Sequence, residues 1–190
     1  MPPKVRVTKE KILETALALV RKSGADALNA RELARCLACS TQPIFSNFES
    51  MVQLKLAVVE EAYRMYWQLV QQVTEEGGYP AYKSSGMAYI RFAQQERELF
   101  KLLYMRDRSG ERDIKDAETD KLIQHQLQTA LGMSEETAKR FHLEMWAVVH
   151  GFATMAATGF MHLDEQLISS CITDIYQGLC TRIQPEREMK

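Results

Sequence analysis

The chain has 190 residues, of which 46% are hydrophobic and 26% are charged, a composition typical of soluble globular proteins. This length suits one large domain or a small domain joined to a larger one. Few prolines (5) and glycines (9) beside plentiful methionine (10) favour helices over turn-dense sheets. The four cysteines lack dense, paired spacing and the first residues lack a secretory pattern, so we expect a cytoplasmic protein without a disulfide framework.

Charge is distributed unevenly along the chain. Residues 1–50 hold eight basic and five acidic side chains, a net charge of +3, whereas residues 51–190 hold sixteen and twenty, a net charge of −4. A basic segment on an acidic body is what attraction to phosphates at one end of a protein requires. The N-terminal segment is therefore the candidate for binding nucleic acid.

Hydrophobic periodicity predicts short helices in this N-terminal segment. The first spans about Thr8 to Ser23, with Thr8 as its N-cap and Gly24 as its stop. A second begins near Asn29, whose side chain caps it while Glu32 reaches back to complete a capping box.

A third short helix is predicted from Thr41 to about Phe48, capped by Ser40 after a tight turn of small residues at 38–40. Pro43 is tolerated because it lies in the first turn. A helix that enters the major groove needs short polar side chains on its outer face, and here these are Thr41, Gln42, Ser46 and Asn47. A solvated helix face is the alternative, but the preceding turn and basic second helix favour DNA contact.

The remainder is also predicted to be helical, because no strand-like alternation occurs. Ser50 begins a long fourth helix with Gln53 as its capping-box partner, and the residues at 77–80 end it. The charged segment 106–120 is predicted to be an exposed loop or surface helix. Further helices are predicted at 84–95, 99–104 and 122–131, from Ser134 onward, and from Asp164 to about Arg182, with a frayed tail after Pro185.

The last two predicted helices are unusually apolar. Residues 145–161 contain no Asp, Glu, Lys or Arg, and a helix that is apolar on several sides needs several neighbours to bury it. We therefore expect both helices to pack against their copies in a homodimer as a four-helix bundle. A membrane span is the disfavoured alternative, because the run is short and polar positions interrupt it. The predicted stripes are Phe141, Met145, Val148, Phe152, Met155 and Gly159, then Ile168, Ile172, Ile175 and Leu179.

Three stretches, at residues 28–34, 38–40 and 44–48, resemble the DNA-binding signature of TetR-family transcriptional regulators, which covers about residues 7–60. The resemblance implies an all-α fold with an N-terminal three-helix helix-turn-helix DNA-binding domain at 1–50. A C-terminal helical ligand-binding and dimerisation domain would follow at 51–190. The chain would then be a homodimeric regulator and not an enzyme, most simply a repressor that a ligand releases from a palindromic operator, although activation stays open. The DNA-binding residues would be Asn29, Arg31, Ser40, Thr41, Gln42, Phe45, Ser46 and Asn47.

The sequence departs from that signature at three positions. The family commonly has Tyr at the position of Phe45, Gly at the position of Ala38, and Lys at the position of Met51. The first and third departures remove a phosphate hydrogen bond and a phosphate charge, so they affect the expected operator affinity. The N-terminus of the fourth helix still attracts an anion through its dipole.

The second half resembles a TetR subgroup named for its Trp-His-Gly pattern, through residues 88–93 and 98–100, Trp146, and His150 with Gly151. The resemblance implies a regulatory domain. Methionine-rich, aromatic interiors adapt to varied apolar guests, so we expect an unknown, largely apolar small-molecule effector. The candidate pocket residues are Met65, Tyr66, Phe92, Phe100, Leu103, Tyr104, Trp146, His150 and Phe152; ordinary core packing is the alternative for each of them.

Other functions find less support. Cys36 and Cys39 form a Cys-x-x-Cys pair, which suggests a redox or metal sensor on the same fold, although no second ligand pair follows. An all-helical small-molecule carrier or enzyme is the other alternative, but no catalytic motif appears. We therefore predict no cofactor, no metal site and no membrane partner.

Overall fold

The computed structural model describes residues 7–107, 121, 124–125, 127–162 and 164–188. Within these ranges the fold is all-α, as predicted, and no strand occurs. No helix in the described ranges combines the length and apolarity that crossing a bilayer requires. In chain order the helices with defined limits are α1 (Lys9–Ser23), a 3-10 turn (Ala25–Ala27), α2 (Ala30–Cys36), α3 (Gln42–Asn47), α4 (Met51–Glu75), α5 (Ala81–Gln95), α6 (Arg97–Tyr104), α7 (Glu135–Thr158) and α8 (Glu165–Glu188). Residues 124–125 and 127–131, within the helix predicted at 122–131, are helical as well.

The chain forms two compact units. The first comprises Met1–Leu69 with Gln95–Arg106, and the second comprises Val70–Gln94 with Asp107–Lys190. The unit that holds α1–α3 therefore also contains most of α4 and all of α6. The boundary expected at residue 50 separates a DNA-binding domain from a regulatory domain by function, and it stays a prediction.

Local hydrogen bonds set the limits of α1 and α2, as expected. The Thr8 hydroxyl accepts from the Lys11 N–H (3.2 Å), and Gly24 ends α1 with φ +80°. Asn29 accepts from the Glu32 N–H (3.0 Å). The predicted capping box is wrong in its second half, because the Glu32 carboxylate accepts from the Arg35 guanidinium one turn later.

The turn into α3 differs from the prediction. Thr41 occupies the N-cap position without a side-chain hydrogen bond, so the expected cap by Ser40 is wrong. Backbone bonds close the turn instead, since the Cys39 N–H donates to the Ala34 carbonyl (3.0 Å). This geometry places Ala38 at φ +51°, in the left-handed region.

Ala38 is therefore strained, and Ala38→Gly is expected to stabilise the protein. The left-handed conformation costs a residue with a Cβ about 1–2 kcal/mol, whereas the extra freedom of glycine in the unfolded chain costs about 0.4–1 kcal/mol. We expect the free energy of unfolding to rise by about 0.5–1 kcal/mol in urea denaturation. The control Ala57→Gly, within α4, should lower it by about 1 kcal/mol; a loss at both positions would contradict the strain argument.

The first unit has its core where α1, α2 and α3 meet the start of α4. A helix this short cannot hold its shape by its own hydrogen bonds, so burial of its apolar side fixes α3 in place. Ile44 and Phe48, from the α3 segment, are 0% and 2% exposed. Their fully buried companions are Ile12, Ala16, Val20, Leu33, Leu54 and Val58.

The predicted starts of α7 and α8 are confirmed, whereas α5 begins at Ala81, three residues before the predicted start, and the predicted end of α8 is wrong. Ser134 caps α7 by accepting from the Thr137 N–H (3.2 Å), and Asp164 caps α8 by accepting from the Leu167 N–H (2.9 Å). α8 continues to Glu188 and includes Pro185, so the predicted end near Arg182 and the frayed tail are wrong. The predicted loop at 106–120 lies outside the described residues from position 108 onward.

Within one chain, the buried side of α7 coincides only in part with the stripe expected to pack in a dimer. Phe141 and Met145 are buried, whereas Val148, Phe152 and Met155 are half-buried, and their packing against a second copy stays a prediction. Because the helix is apolar on several sides, its sequence does not determine which side faces the core. The buried continuation is Val149, Ala153 and Ala157.

Candidate nucleic-acid interface and sensor residues

One face of α3 projects from the first unit. Gln42, Phe45 and Ser46 are exposed, and Phe45 retains 48% of its accessible surface, whereas Ile44 between them is fully buried. Residues three and four apart lie on the same side of a helix, so these three side chains form one outward face. The structure thus brings together two of the base-contacting candidates and Phe45.

The preceding helix, α2, carries two arginines, Arg31 and Arg35. Arg31 is exposed and makes no hydrogen bond or ion pair with the described residues, so its guanidinium is available to a phosphate or base. Arg35 is engaged with Glu32, and this pairing lowers the pKa of the Glu32 carboxyl below its usual value. The two arginines of α2 therefore differ, and Arg31 is the better candidate for DNA contact.

The remaining predicted DNA-binding residues have structural partners or lie at the edge of the face. The Asn29 amide caps α2 and also donates to the Ala27 carbonyl (3.2 Å). Asn47 is half-buried and its amide donates to the Pro43 carbonyl (2.8 Å). Ser40 is exposed and Thr41 is half-buried at the start of α3. DNA contacts by these four side chains stay predictions.

The cysteines of the Cys-x-x-Cys pair lie on either side of the turn. Cys36 is exposed at the end of α2, and Cys39 is half-buried after Ala38. Both are free thiols, and among the described residues no three His, Cys, Asp or Glu side chains are grouped to hold a metal ion.

Helix α6 belongs to the same compact unit as α1–α3 and packs on α1. Arg21 of α1 donates from Nε to a carboxylate oxygen of Glu96 (2.7 Å), and its terminal nitrogen bonds the other oxygen. Leu99 and Leu103 of α6 are fully buried. The bidentate pair and the apolar contact together fix α6 to the end of α1.

The predicted pocket residues fall into two groups, one in each unit. Aromatic rings in the first unit cluster around Tyr104, whose ring contacts those of Tyr63 (6.1 Å), Tyr66 (6.2 Å) and Phe100 (5.1 Å between centroids). Sequence reasoning missed Tyr63, although it lies one turn before Tyr66 on α4. The predicted residues of this unit are Met65, Tyr66, Phe100, Leu103 and Tyr104.

In the second unit, two of the predicted pocket residues contact each other. The ring of Trp146 stacks on that of His150, with centroids 4.7 Å apart and planes at 8°. Nδ1 of His150 lies 2.9 Å from the hydroxyl of Tyr89, which is buried on α5, and burial lowers the pKa of the imidazole. Phe92 is buried and Phe152 is half-buried in the same unit. The half-buried imidazole of His150 thus has a polar partner in Tyr89.

Two polar side chains of the second unit, Tyr82 and Arg91, were not predicted from the sequence to have a structural role. Tyr82 is a mostly buried phenol near Nδ1 of His142 (3.3 Å), and burial raises its pKa. Arg91 donates to both Glu76 (2.9 Å) and Glu165 (2.7 Å), which lowers the pKa of each carboxyl. These contacts join residues up to 74 positions apart, so no local pattern could have indicated them.

The outer surface of α7 and α8 carries open glycines and exposed apolar side chains. A Cβ added at Gly151 or at Gly178 would meet no atom within 4 Å. Leu143 of α7 is 64% exposed, and Ala147, one turn later, is exposed too. Small residues of this kind allow another helix to approach closely.

The chain is similar to known proteins in sequence over its second half and in fold over nearly its whole length. Residues 83–172 match the family described as "Tetracyclin repressor-like, C-terminal domain". No protein with a curated description is a sequence relative.

Solved structures share the fold. A protein of unknown function from Rhodococcus sp. RHA1 is 23% identical, with a TM-score of 0.74 over 95% of this chain and 100% of that one. A TetR-like transcriptional regulator from Rhodococcus sp. RHA1 is 13% identical, with a TM-score of 0.65 over 96% and 97% of the two chains. The multidrug binding protein EbrR, complexed with imidazole, is 16% identical, with a TM-score of 0.58 over 92% and 96%.

Proposed function

Since the chain carries a tetracycline repressor-like C-terminal domain on the fold of TetR-like transcriptional regulators, we propose that it binds operator DNA as a homodimer and that a small molecule releases it. The observation that carries this proposal is the outward face of α3. Gln42, Phe45 and Ser46 project into solvent while Ile44 anchors the opposite side. Such a short helix, held rigidly and clear of its own unit, fits the major groove of DNA.

The proposed dimer forms through α7 and α8. The open glycines Gly151 and Gly178 let helices of a second copy approach, and exposed Leu143 supplies apolar surface for that contact. A two-fold dimer presents two α3 helices, which enter successive major grooves about 34 Å or a multiple apart. The operator is therefore pseudo-palindromic.

Regulation in this proposal acts through α6. The Arg21–Glu96 pair ties the start of α6 to α1, so a displacement of α6 carries the DNA-binding helices with it. A ligand that prefers the state with mismatched α3 spacing releases DNA, with a coupling free energy of about 1–3 kcal/mol. Repression is the simplest consequence of such release.

The proposed effector is largely apolar and able to pack against aromatic side chains. Two separate candidate sites are considered, one at the rings around Tyr104 in the first unit and one at the Trp146–His150 pair in the second. Aromatic side chains gain by stacking beyond their buried area, and half-buried rings such as Tyr66 retain surface for a guest. EbrR, a multidrug binding protein that shares this fold, supports a ligand-binding role for the fold.

Operator binding is tested with Arg31→Ala and Gln42→Ala. Each should weaken specific binding by about 1–3 kcal/mol if it makes a good base contact, because an unpaired base edge is then left behind. Affinities for a selected operator are measured by gel shift at several salt concentrations, where phosphate contacts produce a steep salt slope. The matched controls Arg97→Ala and Gln68→Ala, both exposed in the same unit, should bind like wild type. Unchanged affinity in both test variants would contradict the assignment.

A cysteine-based sensor on the same fold is the second candidate. Cys36 is exposed beside the α2–α3 turn, where a bulky adduct would disturb α3. The half-buried Cys39 lacks that access, which makes a paired reaction of the two thiols less favoured. If alkylation of Cys36 leaves effector-induced DNA release unchanged, this alternative fails.

A further inference from the structure

The exposed ring of Phe45 is the least expected feature of the outward face of α3. An aromatic side chain with 48% of its surface in water forgoes the apolar burial that normally stabilises phenylalanine. Its neighbours on that face, Gln42 and Ser46, are polar. A phenyl ring cannot donate a hydrogen bond, so it has no means of binding a phosphate oxygen.

A ring in this position needs an apolar partner in the DNA groove. Most groups at the base edges in the major groove are hydrogen-bond donors or acceptors, and the 5-methyl of thymine is the methyl group among them. Resting on that methyl would remove apolar surface of both partners from water. The thymine methyl is therefore the apolar group of the groove that suits the ring of Phe45.

Gln42 lies on the same face, three residues before Phe45. Glutamine bonds adenine through N6 and N7 with both ends of its amide. Three residues of α-helix rise by about 4.5 Å, and neighbouring base pairs are separated by about 3.4 Å. The two side chains therefore reach the same or adjacent base pairs.

Ser46 adds an acceptor beside them. Its hydroxyl donates to the Gln42 carbonyl (2.9 Å), which leaves its oxygen lone pairs facing outward. An acceptor in this place suits an amino group of adenine or cytosine. It does not compete with Phe45 for the methyl.

We propose that Phe45 contacts the 5-methyl group of a thymine adjacent to, or paired with, the adenine bonded by Gln42. This inference rests on the proposed DNA-binding function and adds its base specificity. It assigns Phe45 to the base edge and not to the phosphate backbone. Each operator half-site then contains at least one A·T pair whose methyl group contributes to affinity.

The test removes that methyl group alone. Full-length protein selects its preferred duplex from a randomised pool, and each thymine of the selected site is then replaced singly by deoxyuridine. In each half-site we expect one thymine whose single replacement weakens wild-type binding about three- to tenfold, because the burial of one methyl is lost. Binding is followed by fluorescence anisotropy at constant salt.

Variants tie the effect to the ring. In Phe45→Ala, the same deoxyuridine replacement should change affinity by less than about twofold, because the methyl no longer has its partner. Leu56→Ala, which truncates an equally exposed apolar side chain of the same unit (56% exposed), should keep the wild-type response. Phe45→Leu, which keeps apolar contact, should retain part of it.

The outcomes separate the inference from its premise. A selected operator that binds specifically but tolerates every deoxyuridine would overturn the role of Phe45 and leave the regulator intact. An equal deoxyuridine effect in wild type and Phe45→Ala would do the same. Selection of no sequence over bulk DNA would overturn the proposed function and this inference together.

Discussion

Gly151→Leu is expected to convert the protein to monomers and to lower operator affinity at least about 100-fold, because tethering two DNA-binding units multiplies affinity about 10²- to 10⁴-fold. A Cβ added at position 151 meets no atom within 4 Å in its own chain, so the start of the new side chain is accommodated there. The helix itself gains, as leucine has a higher helix propensity than glycine. We expect the leucine to collide with a closely packed helix of the second copy.

The measurements are molecular mass by light scattering, helicity by circular dichroism, and operator affinity. Helicity and melting of the individual chain should be retained, while mass and affinity fall together. Gly178→Leu, at the open glycine of α8, should behave likewise. Glu136→Leu, exposed at the start of α7, is the matched control and should stay dimeric. A full-mass dimer in both glycine variants would refute the α7–α8 interface.

Ile44→Ala is expected to lower the free energy of unfolding by about 2–5 kcal/mol, the cost of removing a large aliphatic side chain from a packed core. Ile44 is completely buried, on the side of α3 opposite the exposed Gln42, Phe45 and Ser46. A six-residue helix has almost no stability of its own, so the lost packing also releases α3. Operator binding should therefore be lost even where the rest of the chain remains folded.

Chemical denaturation and gel shift at low temperature distinguish these effects. Val52→Ala, at a side chain 67% exposed on α4, should change stability by less than about 0.5 kcal/mol. Ile44→Val, which removes one methylene, should cost about 0.5–1.5 kcal/mol and keep operator binding. Wild-type stability in Ile44→Ala would mean that α3 is not held by its buried face.

The sequence predicted the α3 face well because that face depends on local features. Gln42, Phe45 and Ser46 lie within one turn and a half of helix, and their exposure follows once Ile44 and Phe48 are placed inward. The cap of α2 by Asn29 was also predicted, because it spans three residues. The hydrogen bond from the Asn47 amide to the Pro43 carbonyl was not predicted, and the DNA contacts of both asparagines stay predictions.

The sequence did not predict how the apolar pocket candidates are distributed in the fold. Composition selected Met65, Tyr66 and Trp146 as adaptable side chains, but it could not assign them to separate units. The contact of Trp146 with His150 is local, one helical turn apart, whereas that of Tyr89 with His150 joins residues 61 positions apart. Only the second needed the folded chain.

The sequence by itself determined where α1, α7 and α8 begin, because their N-caps Thr8, Ser134 and Asp164 act through hydrogen bonds that span three residues. The tertiary structure alone decided which side of α7 is buried and that α6 joins the unit of α1–α3. A helix apolar on several sides carries no periodicity that selects one of them. The attachment of α6 depends on Arg21 and Glu96, which are 75 residues apart and meet only once the chain has folded.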